Sequence, residues 1–198
     1  MLRTLVCLVL ATLLLGSCAS TRAQDVAQEA AVLFGQGESS AALDLYERAL
    51  ELAPDNSEYR YNHLLALLDV NPNEVPMQAE EAFAQFPAHL EFLLVKARAY
   101  ALERAYEQAL ITYDRILDLD AGNYELMASV MLLAKSWGYR ENALALAEHL
   151  VLNHRKEQEA SAVIEELASE DSYLRDLATY LTKEAETEDP QQLLQESK

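Results

Sequence analysis

The sequence predicts an all-α protein built from repeated helical units, and three observations carry that prediction. Ala, Leu and Glu dominate a chain of 198 residues that has only 5 Gly and 5 Pro, and all three are good helix formers. Apolar residues recur at helical spacing, as in Tyr61, Leu64, Leu65 and Leu68. Small and aromatic residues also return at long, regular intervals: Ala42 and Ala109 are 67 residues apart, and Ala109 and Ala143 are 34 apart.

The first seventeen residues stand apart from this pattern. Met1 to Thr4 form a short head with one Arg, Leu5 to Leu15 an apolar run, and Gly16 and Ser17 a small-residue end. That is the layout of a secretory signal. The run is shorter than the ~20 apolar residues a spanning helix requires. Its end, Leu15-Gly16-Ser17-Cys18, resembles the lipobox of bacterial lipoproteins. The resemblance implies cleavage before Cys18, a diacylglycerol thioether on its sulfur, and acylation of the new amine. Two or three acyl chains anchor lastingly where one would be marginal. The alternative is an ordinary signal peptide cut near Ala19 or Ala23. Ala19 is not the Asp that retains such proteins in the inner membrane of enterobacteria, so the resemblance points to the periplasmic face of the outer membrane. Residues 18–23 then form a tether of about 20 Å at ~3.3 Å per residue.

Residues 24–155 carry the repeats. The first unit, Ala23–Asn56, contains Ala30, Leu33, Gly37, Ala42, Tyr46, Ala49 and Pro54. The third, Leu90–Asn123, has Ala97, Tyr100, Ala109 and Tyr113, and the fourth, Tyr124 to about Arg155, has Gly138 and Ala143. With a period of about 34 residues, these positions resemble the tetratricopeptide-repeat family. The resemblance implies a right-handed α-α solenoid of antiparallel helical hairpins. Ala30 and Ala97 would lie where paired helices approach closely, and Tyr46, Tyr100 and Tyr113 would fill the gaps. Gly37 and Gly138 would turn the chain at positive φ. Pro54 would end a second helix.

The second unit, Ser57 to about His89, has the right length but lacks the small residues and the turn glycine, so a distorted hairpin is expected. Asn71-Pro72-Asn73 breaks the chain, and Pro76 suits a first helical turn. Residues 156–184 hold two more helical patterns, Glu157–Ser169 and Ser172–Glu184, read as a C-terminal capping pair or a decayed fifth unit. Asp171 or Ser172 is the N-cap candidate. Residues 185–198, acidic and containing Pro190, are read as a disordered tail.

Charge narrows the partners. The net charge is −18, and residues 1–17 contribute one Arg and no acid, so the remainder is more acidic still. Nucleic-acid binding rests on cations displacing counterions, so this field excludes it; it also opposes adsorption on anionic headgroups. Catalysis finds no support. The only cysteines are Cys7 and Cys18, and no Gly-rich loop, serine elbow or metal-ligand cluster is present. His149 and His154, five residues apart, diverge on a helix. Glu80-Glu81 and Glu165-Glu166 read as solvated helical faces. No enzymatic activity, cofactor or metal is expected.

Binding is the expected activity. In tetratricopeptide proteins partners lie along the concave surface formed by the first helix of each unit. The matching register here contains Phe34, Tyr61, Leu65, Leu94, Arg98, Leu132 and Lys135. Arg98 and Lys135 could hold an acidic side chain or carboxylate; the alternative is that the leucines are core and the cations balance Glu91 and Glu125. Trp137, beside Gly138, reads as a packing residue. The expectation is a membrane-anchored adaptor or scaffold in the bacterial cell envelope, serving assembly or transport machinery. Similar lipoproteins act as pilotins, assembly factors or accessory parts of uptake systems. A carrier of a small ligand for a solute transporter is the alternative.

Overall fold

The computed structural model describes residues 21–170 and 172–187, with side chains through Tyr180. Cys7, Cys18, the signal segment and most of the expected tail lie outside the described residues. Helix α1 spans residues 21–35. It is followed by α2 (Ser39–Leu52), α3 (Ser57–Val70), a 3-10 turn at Pro72–Glu74, α4 (Val75–Gln85), α5 (Glu91–Leu102) and α6 (Tyr106–Leu119). Then come α7 (Tyr124–Ser136), α8 (Arg140–Leu152), α9 (Glu157–Leu167) and α10 (Tyr173–Thr187). No strand occurs among the described residues, and none of their helices is long and apolar enough to cross a membrane.

Two element boundaries differ from expectation. Residues 21–23, assigned to the tether, already belong to α1, and Ala23 is buried. Burial of that methyl favours extending the helix backwards. At the other end α10 runs to Thr187, three residues into the expected tail.

The chain divides into two compact units, Met1–Thr112 and Tyr113–Lys198. In the first, α2 packs on α3 and α4 on α5, with α3 also touching α4 and α5. Ala27 and Ala30 of α1, Ala42, Tyr46 and Ala49 of α2, and Ala66 of α3 form one buried cluster. In the second unit α7 packs on α8, α8 on α9 and α9 on α10. Helices α9 and α10 thus pack on each other next to α8.

The repeat is legible in the burial. In the first helices Ala30, Leu64, Ala97, Met131 and Ile164 follow one another at intervals of 33 or 34 residues, and all are 0% exposed. In the second helices the triplets Ala42/Tyr46/Ala49, Val75/Ala79/Ala82, Ala109/Tyr113/Ile116 and Ala143/Ala147/Leu150 repeat one i, i+4, i+7 stripe, every member buried. The second unit, expected as a distorted hairpin of the right length, keeps this burial register. Leu64 to Val75 is 11 residues, whereas Ala30 to Ala42, Ala97 to Ala109 and Met131 to Ala143 are each 12. The missing residue lies in the turn. There Asn71 and the 3-10 turn at Pro72–Glu74 replace the left-handed residue found in other hairpins.

That left-handed residue is Gly37 (φ 83°) in the first hairpin and Gly138 (φ 84°) in the fourth, as predicted. In the third hairpin the equivalent position is Arg104, which adopts φ 57° despite its side chain. The new helix starts are capped too: Asn56 accepts a hydrogen bond from the Tyr59 N–H, and Asn123 from the Leu126 N–H. Each satisfies one of the orphan donors at a helix start. In the fifth hairpin Ser172 is the N-cap candidate whose hydroxyl accepts from the Leu174 N–H, at 3.4 Å.

Candidate functional site

The face expected to bind partners is built by positions adjacent to the buried first-helix stripe. Leu65, Arg98 and Leu132 each follow a fully buried residue, respectively Leu64, Ala97 and Met131. Turning one residue round a helix rotates a side chain by ~100°, enough to carry it from the core to the rim. Leu65 is half-buried, Arg98 exposed, and Leu132 47% exposed. Tyr61 and Leu94, at another shared position, are half-buried.

In the first unit the face has an aromatic foundation. The Tyr61 ring meets Phe92 edge-on, with centroids 6.4 Å apart, a favourable quadrupole arrangement. Phe92 in turn contacts Phe86 and His89. Arg98 has neither ion pair nor hydrogen bond among the described residues, so its guanidinium is available to an outside acid. Glu91, the expected counter-charge, instead lies 2.7 Å from His89 Nδ1. Phe34 belongs with the core: it packs against the Ala30–Tyr46 cluster.

In the second unit the two expected residues differ. Leu132 projects outward. Lys135 does not stand free: its ammonium donates to Glu166 of α9, tying α7 to α9. Nor does it balance Glu125, which pairs with Lys156 at 2.7 Å. Glu166 is thus a helix-to-helix tie rather than a purely solvated acid. Glu80 is another, accepting from Lys96 at 2.6 Å between α4 and α5. Lys96 also lies 6.0 Å from the centre of the Tyr100 ring. These pairings were invisible in sequence because partners 16 and 31 residues apart meet only through hairpin packing.

The histidine geometry also differs from the helical reading. Helix α8 ends at Leu152, so His154 lies beyond it, with φ 53° and Nδ1 2.9 Å from Glu157. Trp137 sits half-buried at the α7 C-cap, its backbone N–H donating to the Leu133 carbonyl.

Sequence reasoning missed one groove on this face. Gln24, Ala27, Gln28 and Ala31 of α1 and Glu58, Tyr59 and Asn62 of α3 line an open cavity of about 450 Å³. The signal was present, since Ala27 and Ala31 stand 34 residues before Tyr61 and Leu65. Alanine at those places reads as core filling, and only the structure shows that it opens a hollow.

Stacked antiparallel hairpins with this register define the tetratricopeptide-repeat type of α-α solenoid fold. Known structures of the same fold include TTC0263, a thermophilic tetratricopeptide protein of Thermus thermophilus. It is 24% identical over 81% of this chain and 98% of its own, with a TM-score of 0.52. MamA is similar at 18% identity over 84% of this chain and 90% of its own, with a TM-score of 0.57. A structure of MamA AMB-1 aligns over 88% of this chain and 97% of its own at 12% identity, with a TM-score of 0.56. No protein-family profile and no curated protein sequence matches the chain.

Proposed function

We propose that this protein is an interaction adaptor that holds a segment of another protein against the first-helix face of its hairpins. One observation carries the reading: in the first unit Leu65 and Arg98 occupy a single repeat position, each next to a fully buried residue, yet remain outside the core, and within the second unit Leu132 does the same. In the first unit half-buried Tyr61, Leu65 and Leu94, with the Arg98 guanidinium unpaired among the described residues, suit a segment that brings both apolar contacts and an acid. The similar fold of tetratricopeptide proteins supports the reading. No enzymatic step is assigned to the described residues.

The proposal extends to location. Leu15-Gly16-Ser17-Cys18 supports lipid anchorage through Cys18 at the bacterial cell envelope, and Ala19 supports the periplasmic face of the outer membrane. An anchored adaptor would concentrate its partner at a surface, in the service of assembly or transport machinery there. Because the body carries a strongly negative charge, the acyl chains rather than lipid headgroups would hold it.

Photo-crosslinking residues placed at Leu94 and Leu132 in living cells test the binding surface. Capture of the same protein from both positions, and not from a probe at Met77, exposed on α4, supports the reading; capture of none removes its basis. For the anchor, Cys18→Ser should abolish incorporation of labelled fatty acid and release the protein from membranes. Membrane retention of that variant would defeat the anchorage proposal.

A further inference from the structure

A second surface lies away from the first-helix face, within the second unit. The C-terminal half of α6, the start of α7 and the outer side of α8 enclose an open groove of about 570 Å³. Its floor is apolar: Leu117 and Met127 are buried, and Leu146 is half-buried. Asp114 and Asp118 stand on one side, a helical turn apart on α6, and His149 stands on the other, on α8. The two carboxylates have no hydrogen bond or ion pair among the described residues. Like charges at i, i+4 repel each other. Here burial, and then the neighbouring Asp118 charge, push the Asp114 carboxyl above its usual range.

Together these observations describe an apolar trough whose charged rim lacks its counter-charge. We propose that the groove docks a basic amphipathic segment of a partner protein. Its Lys or Arg side chains would pair with Asp114 and Asp118, and its apolar side chains would cover Leu117, Met127 and Leu146. Charge complementarity selects the occupant. A second copy of this chain would bring its own −18 charge, and anionic lipid would be repelled as well. Residues on consecutive helical turns have Cβ atoms about 5–6 Å apart, a spacing that Lys or Arg on consecutive turns of a bound helix reproduces. The basic stems would lie on the apolar floor while their charged ends reach the rim.

Binding of a synthetic lysine–leucine peptide, amphipathic over about four helical turns, to the full-length protein tests this. Fluorescence anisotropy would compare that peptide with a scrambled peptide of identical composition. The amphipathic peptide should bind more tightly than the scrambled one. The double variant Asp114→Asn/Asp118→Asn should weaken it by roughly tenfold or more, one desolvated charge contact being worth about that factor. Leu146→Gln should weaken it as well, whereas Leu132→Glu on the first-helix face should not. Thermal unfolding checks that each variant is folded, and the exposed Asp-to-Asn changes keep the test valid if Leu146→Gln is not. Equal binding of the scrambled peptide, indifference to the Asp variants, or no binding at all would overturn the proposal.

Discussion

Ala30 on α1 and Tyr46 on α2 lie in the same buried cluster, a small residue on one helix and a ring on the other. This exchange of bulk runs along the chain. Where the first helix carries Ala, at 30 and 97, the repeat-equivalent residue of the second helix is Tyr46 or Tyr113. Where it carries Leu64, Met131 or Ile164, that residue is Ala79, Ala147 or Ala178, and all are buried. Close packing leaves no room for two large residues and tolerates no gap for two small ones.

The exchange is testable at the second hairpin. Leu64→Ala should cost about 2–5 kcal/mol through lost burial and a residual cavity. Ala79→Tyr alone should cost ~1–3 kcal/mol by overpacking. The double variant, which copies the Ala30–Tyr46 arrangement, should be more stable than the sum of the two by at least ~0.5 kcal/mol. Denaturant unfolding of the four proteins measures that difference; simple additivity would show that the positions do not share space.

His63 supplies a pH dependence. It is 5% exposed, its Nδ1 has no hydrogen-bond partner among the described residues, and its Nε2 lies 3.6 Å from Glu47 on the neighbouring helix. Burial pushes its pKa below the ordinary 6.5, against the attraction of Glu47, while Arg60 pushes the same way as burial. The folded state therefore binds the proton less readily than the unfolded state. Stability from this residue is complete above 6.5 and declines as pH falls through that value toward the depressed folded pKa. Urea midpoints measured between about pH 8 and about pH 5 should fall, and less so in a His63→Gln variant. Glu47→Gln, which removes the opposing attraction, should steepen the decline.

The turn residues make opposite predictions. Gly37 and Gly138 have positive φ and open space around a would-be Cβ, so only backbone strain opposes a side chain. Gly37→Ala should lower stability by about 1 kcal/mol. Arg104 already bears that strain, so Arg104→Gly should be neutral or stabilising by up to ~1 kcal/mol, the gain limited by the greater freedom of Gly when unfolded. Thermal unfolding of both variants decides; a substantial loss in Arg104→Gly would mean its side chain contributes packing.

Arg98 separates binding from folding. Exposed and unpaired among the described residues, it should tolerate Arg98→Glu with a change of no more than ~0.5 kcal/mol. The same variant should diminish crosslinking from the Leu94 position. Unfolding curves and crosslink yield, read together, check it: lost stability would assign Arg98 to the fold, and unchanged yield would remove it from the binding face.

Much of the architecture follows from the chain alone. Helix-forming composition, the 34-residue interval and the positions of Gly37, Gly138 and Pro54 determine the hairpins, because backbone geometry and small-residue packing act locally or repeat at fixed spacing. The same periodicity marks Tyr61, Leu65, Leu94 and Arg98 of the first unit, and Leu132 of the second, as first-helix positions outside the core. Tertiary structure alone decided how charges and bulk are shared. Lys135 meets Glu166, Lys96 meets Glu80, and Arg98 meets neither Glu91 nor any other described acid. It also decided that Leu64 is buried at the repeat position of Ala30, while the repeat equivalent of Tyr46 is the buried Ala79. Ion pairs and volumes depend on which side chains converge from distant positions, and no local pattern encodes that convergence.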